Sequence, residues 1–376
     1  MLVALTEQQE IFQITEYVSR KMVLERKYTD KFFCPQCKEP LVLKVGKIKI
    51  PHFAHLKGSQ CESFFSEGES LAHLMGKQQL FAFFTKRSLQ PKLEPFLGEI
   101  KQRPDLLLSY NFSEFAIEFQ CSKIPHEVVQ RRSQGYEEIN IHPIWLIQTP
   151  NEHFKRLGIT RLSINYTNSQ YIQMYKNQRY LITYDVHSKM FYYVSNLIPV
   201  HHKQYLGVIQ ALPLMQQSFP FYVPKVMSIE TFRLLMLRFF DYRDQYMHSR
   251  LLFSRKGVND SFFRAVYELQ LTPSNLPNFI GIPVSFAQDF QEFCVEWQTK
   301  LIYFMHYHKV KVQQINVQVI SYFLKWAKIQ DDNGNCKKAV LNYLKLLKKL
   351  EIVNVYNEVP QEQLFQLLYN ELVAIG

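Results

Sequence analysis

The chain has 376 residues, enough for two or three domains, with 47% hydrophobic and 20% charged residues, the balance of a soluble globular protein with sizeable cores. Only 12 glycines argue against long flexible linkers. A formal net charge of +11, spread over both halves, points to phosphate backbones or anionic lipid, although many proteins are merely basic.

No apolar run approaches the roughly 18 residues of a bilayer span. Thr6-Glu7-Gln8-Gln9-Glu10 ends the short apolar start at once, so no signal peptide is expected either. The six cysteines do not form a disulfide framework, which predicts a reduced, cytoplasmic protein.

Residues 1–30 hold short mixed segments. Cys34-Pro35-Gln36-Cys37 is a tight turn, and Leu41–Val45 reads as a strand broken by Gly46. Lys47–Ile50 is expected to pair back as a hairpin. His52-Phe53-Ala54-His55 and Cys61 follow, so five potential ligands fall within 28 residues. CxxC knuckles are the usual half-site for zinc. The expected structural set is Cys34, Cys37, Cys61 and one of His52 or His55. The alternative is a metal-free knuckle whose histidines touch the next domain.

Ser66-Glu67-Gly68-Glu69 reads as a capping box. It opens a helix to about Arg87, with Leu71, Leu74, Met75, Leu80, Phe81 and Phe84 as its apolar stripe. Strands are expected over 91–97, 103–109 and 114–121. A helix over 125–139 follows, with Pro125 in its first turn, then a strand at His142–Ile147. Tyr180–Tyr184 and Lys189–Val194 read as a hairpin. The rest is mainly helical, clearest at Phe232–Phe240, Phe286–Phe304, Val317–Ile329 and Lys337–Leu350, with a turn at Asp331–Asn335. The last helix carries a basic face of Lys337, Lys338, Lys345, Lys348 and Lys349, which can follow DNA or simply be solvated. Tyr303, Phe304 and Tyr307 can stack on bases, but their helical spacing also suits a core. No Walker loop, dinucleotide fingerprint or Ser/His/Asp arrangement is present.

The chemistry concentrates at Arg103-Pro104-Asp105 and Glu118-Phe119-Gln120. On a strand Glu118 and Gln120 share a face, and Phe119 turns to the other. A hairpin would bring Asp105 beside Glu118. Two adjacent carboxylates repel unless a cation neutralises them, and hard oxygens favour Mg²⁺ or Mn²⁺. Glu118 lies in an apolar strand, where a glutamate without a partner is rare. Glu69, His73 and Lys77, spaced i, i+4, i+8, fall on one helical face. Glu69 can instead serve only as a cap, and Lys77 reads as solvent-exposed. Arg131 and Arg132, with Tyr136 one turn on, can grip phosphate or line a solvated face.

These motifs resemble the PD-(D/E)xK nuclease core, and more closely the competence protein CoiA family of Gram-positive bacteria. The carriers are Cys34-Pro35-Gln36-Cys37, His52-Phe53-Ala54-His55, Arg103-Pro104-Asp105 and Ala116-Ile117-Glu118-Phe119-Gln120-Cys121-Ser122, over about residues 25–150. The resemblance implies an α+β protein with a restriction-endonuclease-like core (α-β-β-β-α-β) over residues 66–155. A zinc-ribbon-like β region over 1–65 would precede it, and a mainly helical domain over 156–376, opening with a β-hairpin, would follow. It implies a role in natural transformation and DNA recombination. The expected activity is a Mg²⁺- or Mn²⁺-dependent nuclease with Asp105 and Glu118 as metal ligands, Gln120 orienting water, and Glu69 and His73 assisting. Candidate DNA contacts are Lys77, Arg103, Arg131, Arg132 and Tyr136. The expected partners are single-stranded or branched DNA and recombination proteins. Gln120 departs from the superfamily lysine, so a DNA-binding protein without cleavage is the alternative. Lys77 is a candidate for the missing charge.

Overall fold

The computed structural model describes residues 1–47, 49–59, 61, 69–175, 178–201, 203–254 and 259–373. Alternating side chains close the N-terminal segment into a small antiparallel sheet. Its strands are β1 (Val3–Leu5), β2 (Ile11–Gln13), β3 (Phe32–Phe33), β4 (Pro40–Lys44) and β5 (His52–His55), in the order β2-β1-β3-β4-β5. In β4, Leu41 and Leu43 face the core, whereas Pro40, Val42 and Lys44 face outward. A helix that the sequence did not announce, α1 (Arg20–Thr29), joins β2 to β3; it buries only Val23 and so has no apolar stripe to read. The strand returning to β4 is β5, with Leu43 opposite Phe53, rather than the expected Lys47–Ile50. Ile48 of that expected strand lies outside the described residues.

The middle of the chain runs α2 (Leu71–Lys86), β6 (Lys92–Leu93), β7 (Leu106–Tyr110), β8 (Ser113–Gln120), α3 (His126–Glu138) and β9 (Ile141–Gln148). This is the expected α-β-β-β-α-β order. The cap of α2 is Ser70, whose hydroxyl accepts from the His73 N–H at 3.1 Å. Glu69 therefore precedes the helix instead of occupying its third position; Ser66 of the expected capping box lies outside the described residues. Pro125 is the N-cap of α3, one step before its first turn. β6 is far shorter than 91–97, because Glu94 adopts φ +45° and leaves the extended region.

β7 and β8 are antiparallel, with Leu106 opposite Ile117, and β8 runs parallel to β9. The sheet does not stop there. β10 (Gly158–Ser163), the short helix α4 (Tyr166–Ser169), β11 (Gln173–Tyr175), β12 (Gln178–Asp185), β13 (Met190–His201) and β14 (Gln204–Pro213) follow. Apart from α4 they extend the same sheet, in the order β10-β14-β13-β12-β9-β8-β7-β6, with β11 on β12. The expected boundary after residue 155 thus falls inside a continuous sheet. The expected hairpin is β12–β13, longer than its apolar centre suggested.

The helices α5 (Ile229–Phe253), α6 (Ser261–Glu268), α7 (Cys294–Tyr307), α8 (Val317–Trp326), α9 (Asn335–Lys349) and α10 (Gln361–Leu372) complete the described chain. They share a core around Phe239, Trp297, Phe304 and Tyr343, which Ile198, Val200 and Leu206 of β13 and β14 join. The helix expected from Phe286 begins only at Cys294, since Phe286 sits at φ +69°. Tyr303 and Phe304 are buried, whereas Tyr307 is exposed.

Two helices sandwich the sheet where β7 and β8 meet. On the α2 side, Leu74, Leu80 and Phe83 pack with Ile117, Phe119 and Phe53 in one core. On the α3 side, Tyr136 packs with Leu107, Ala116 and Ile141. The alternation of β8 therefore sends Phe119 to α2 and its neighbours to α3.

Close approach of α2 requires Gly76, where a Cβ would stand 2.1 Å from Phe119 Cε1. Gly76→Ala adds about 1 kcal/mol of helix propensity, but overpacking a filled core costs about 1–3 kcal/mol. Net destabilisation is expected, visible as a lower thermal midpoint and partly reversed by Phe119→Leu in the same chain. An unchanged midpoint would contradict this packing.

Candidate active site

The β7–β8 ladder ends at Leu106 and Ile117. One step further Asp105 comes beside Glu118, and its side chain takes over as ladder acceptor: the Phe119 N–H donates to Asp105 Oδ2 at 2.8 Å. His73 Nε2, from α2, meets the same oxygen at 3.0 Å. Glu118 is turned to α3, where Arg132 and the Tyr136 hydroxyl both donate to its Oε1. Each carboxylate thus accepts its hydrogen bonds at one oxygen. Asp105 Oδ1 and Glu118 Oε2 accept no hydrogen bond among the described residues.

The second centre of the site is Lys77. It is 1% exposed, where a solvated position was expected. Its ammonium donates to Glu69 Oε1 at 2.6 Å and to Glu94, and lies 3.8 Å from Asp105 Oδ1. The expected face Glu69–His73–Lys77 does converge, with His73 Nδ1 3.8 Å from Glu69 Oε1. The Met1 amino group adds a contact to Glu69 Oε2 at 2.6 Å.

Charge follows from this wiring. Burial alone would lower the Lys77 pKa, but Glu69, Glu94 and Asp105 outweigh it and raise the value. Burial opposes ionisation of Asp105, yet His73, Lys77 and the Phe119 N–H hold its carboxyl down to about 2. Glu118 moves the other way: burial, helped by the charge on Asp105, raises it against Arg132 and Tyr136. Neighbouring carboxyls whose environments push them apart are a recurring feature of acid–base sites.

Other expected site residues are placed differently. Gln120 spends its amide on Ser122, donating to the carbonyl at 2.8 Å and the hydroxyl at 2.9 Å. Arg132 and Tyr136 are buried around Glu118, and Arg103 is buried beneath them, its carbonyl accepting from Arg132 at 3.2 Å. Arg132 and Tyr136, like Lys77, hold the carboxylates instead of facing outward, and Arg103 is buried as well; Arg131 is exposed on α3. Glu94 escaped the sequence reading. It is 2% exposed and accepts from the N–H groups of Leu2 and Val3 as well as from Lys77. The signal was available: Glu94 stands in the apolar run Leu93-Glu94-Pro95-Phe96-Leu97, the same context that singled out Glu118.

The N-terminal sheet carries a separate cluster. Ligand atoms of Cys34, Cys37, His55 and Cys61 all lie within 4.8 Å of one another, with Cys37 Sγ 3.4 Å from His55 Nε2. Bonds of about 2.0–2.3 Å around tetrahedral zinc separate neighbouring ligands by roughly 3.5–4 Å, so this donor set fits such a metal. His52 is elsewhere engaged: its Nδ1 meets the Ile50 carbonyl at 2.8 Å. Among the described residues this is the only group of three or more such ligands; Asp105, Glu118 and Glu69 do not form one.

An α+β chain with a mixed sheet, a buried carboxylate centre and a thiol-imidazole cluster fits a three-part family. The model for the N-terminal domain of competence protein CoiA matches residues 15–64, that for its nuclease-like domain residues 69–225, and that for its C-terminal domain residues 239–369. Competence protein CoiA of Bacillus subtilis (strain 168) is 30% identical over 278 residues, covering 73% of this chain and 72% of that protein. No solved structure matches the chain. The chain belongs to the CoiA competence family. The nuclease-like match runs to residue 225, across the whole sheet.

Purified protein is expected to carry one zinc ion per chain by elemental analysis. Cys34→Ser, Cys37→Ser and His55→Ala should lose it, and His52→Ala should keep it. Zinc-free wild-type protein would contradict the assignment.

Proposed function

We propose that this protein acts on DNA during natural transformation as a divalent-cation-dependent nuclease of the PD-(D/E)xK kind. The observation that carries the reading is the carboxylate pair at the end of the β7–β8 ladder. Each of Asp105 and Glu118 accepts its hydrogen bonds at one oxygen, and the other oxygen accepts none among the described residues, Asp105 Oδ1 facing the Lys77 ammonium at 3.8 Å. Two hard oxygens suit Mg²⁺ or Mn²⁺. Bound there, such an ion would supply Lewis-acid stabilisation of a scissile phosphate and an acidified water.

The remaining roles belong to the protein. His73 orients Asp105, and Arg132 with Tyr136 orients Glu118. Lys77 brings to Asp105 the positive charge that Gln120 lacks, a helix residue serving for a strand residue. Glu69 fixes Lys77 from the opposite side. Arg131, exposed on α3, is the candidate for a backbone phosphate. Single-stranded or branched DNA is the substrate class the family role favours, in the cytoplasm, with recombination proteins as partners for the helical half.

A second reading is DNA binding without cleavage. It draws on Gln120, whose amide is engaged with Ser122, and on the burial of Asp105 (6% exposed) and Glu118 (3%).

One assay separates the two. Labelled single-stranded, duplex and branched DNA is incubated with Mg²⁺ or Mn²⁺ and wild-type, Asp105→Ala or Glu118→Ala protein. The nuclease reading expects cleavage that falls about a hundredfold or more in both variants. Binding without cleavage in the wild type supports the second reading. Cleavage that persists in both variants removes the site assignment.

A further inference from the structure

Glu94 has no place in the metal pair, yet it is the most heavily wired carboxylate in the region. Its Oε2 accepts from the Leu2 N–H at 3.0 Å and the Val3 N–H at 3.3 Å, and its Oε1 accepts from Leu2 at 3.1 Å and from the Lys77 ammonium. Its own N–H donates to the Asp105 carbonyl at 3.0 Å. The residue therefore grips Lys77 with its side chain and Asp105 with its backbone. It does so at φ +45°, a conformation that non-glycine residues adopt at a cost and that concentrates at functional sites.

We propose that Glu94 is a positioning residue of the active site. It sets the Lys77 ammonium beside Asp105, and the N–H groups of Leu2 and of Val3, the first residue of β1, by donating to it make the N-terminal sheet a wall of that site. The inference rests on the role given to Lys77 under the nuclease reading, and extends it in two ways. Lys77 alone, on a long flexible stem, has no fixed address. Glu69 and Glu94 hold it from two sides, and the backbone link from Glu94 to Asp105 ties that address to the reacting carboxylate. A hydrophobic residue at 94 would fill the same volume without fixing any charge. The N-terminal sheet, the thiol-imidazole cluster included, then cannot be separated from the nuclease-like domain without loosening Lys77: β5 holds the segment leading into β1, the Phe53 N–H donating to the Met1 carbonyl at 2.8 Å, and His55 lies on that same strand.

The test uses full-length protein labelled with ¹⁵N-lysine, as wild type, Glu94→Gln, Glu94→Asp and, for assignment, Lys77→Arg. Two readouts are taken: the slowly exchanging ammonium resonance of Lys77, and kcat and KM on the DNA that wild-type protein cleaves. The expected result is one protected ammonium signal in the wild type, lost in Glu94→Gln and weakened in Glu94→Asp. With it, kcat should fall about tenfold or more in Glu94→Gln while KM changes less than about twofold. An intact signal and unchanged kcat in Glu94→Gln would overturn the proposal. So would a loss of kcat fully matched by a rise in KM. Should Glu94→Gln not fold, Glu94→Asp carries the same two readouts, and an unchanged signal there overturns the proposal. Absence of cleavage in the wild type would count against the nuclease reading alone, because the ammonium signal still decides whether Glu94 positions Lys77.

Discussion

The centre of the molecule depends on keeping one ammonium group charged where water cannot reach it. Removing a charge from water costs several kcal/mol. One carboxylate at about 4 Å returns roughly 4 kcal/mol at an effective dielectric near 20. A single partner would therefore leave Lys77 near balance. Glu69, Glu94 and Asp105 together tip it firmly to the charged form, and the raised pKa of Lys77 records that outcome. The dependence is mutual, because the three carboxylates would repel each other without the cation between them.

Such a cluster is a poor way to stabilise a fold, since well-packed apolar residues of similar volume usually do as well or better. Its value lies in what it fixes. Lys77 links α2 to the turn after β6 and to the start of β7. Asp105, at that start, accepts from β8 and from His73. Glu94 draws in β1, and so the N-terminal sheet. Glu118 is fixed separately, from α3, by Arg132 and Tyr136. Two helices on opposite faces of the sheet thus fix two neighbouring carboxylates: α2 holds Asp105 through His73 and Lys77, and α3 holds Glu118 through Arg132 and Tyr136.

Much of this was legible in the sequence, and the failures have physical causes. The α-β-β-β-α-β order, the pairing of Asp105 with Glu118 and the convergence of Glu69, His73 and Lys77 follow from strand and helix periodicity. The cysteine cluster followed from spacing, but the choice of His55 over His52 needed the strand direction of β5. Lys77 read as exposed because a lysine is almost never fully buried unless paired; its burial depends on Glu94, which is distant in sequence. Arg132 and Tyr136 read as phosphate contacts because nothing local says that Glu118 faces them across the sheet. α1 was missed for want of an apolar stripe, and β6 was overextended because a positive φ at a glutamate leaves no signature. The sheet boundary was set too early, since β10 to β14 complete a sheet whose first strands already looked like a finished unit.

The most direct test of the account is the anomalous scattering of Mn²⁺ diffused into crystals of the full chain, with Asp105→Asn, Glu118→Gln protein as the comparison. The account predicts a peak held by Asp105 and Glu118 with Lys77 still in place between Glu69 and Glu94, and no peak in the double variant. Mn²⁺ bound elsewhere, or no peak at Asp105 and Glu118 while Arg132 and Tyr136 keep their hold on Glu118, would contradict it.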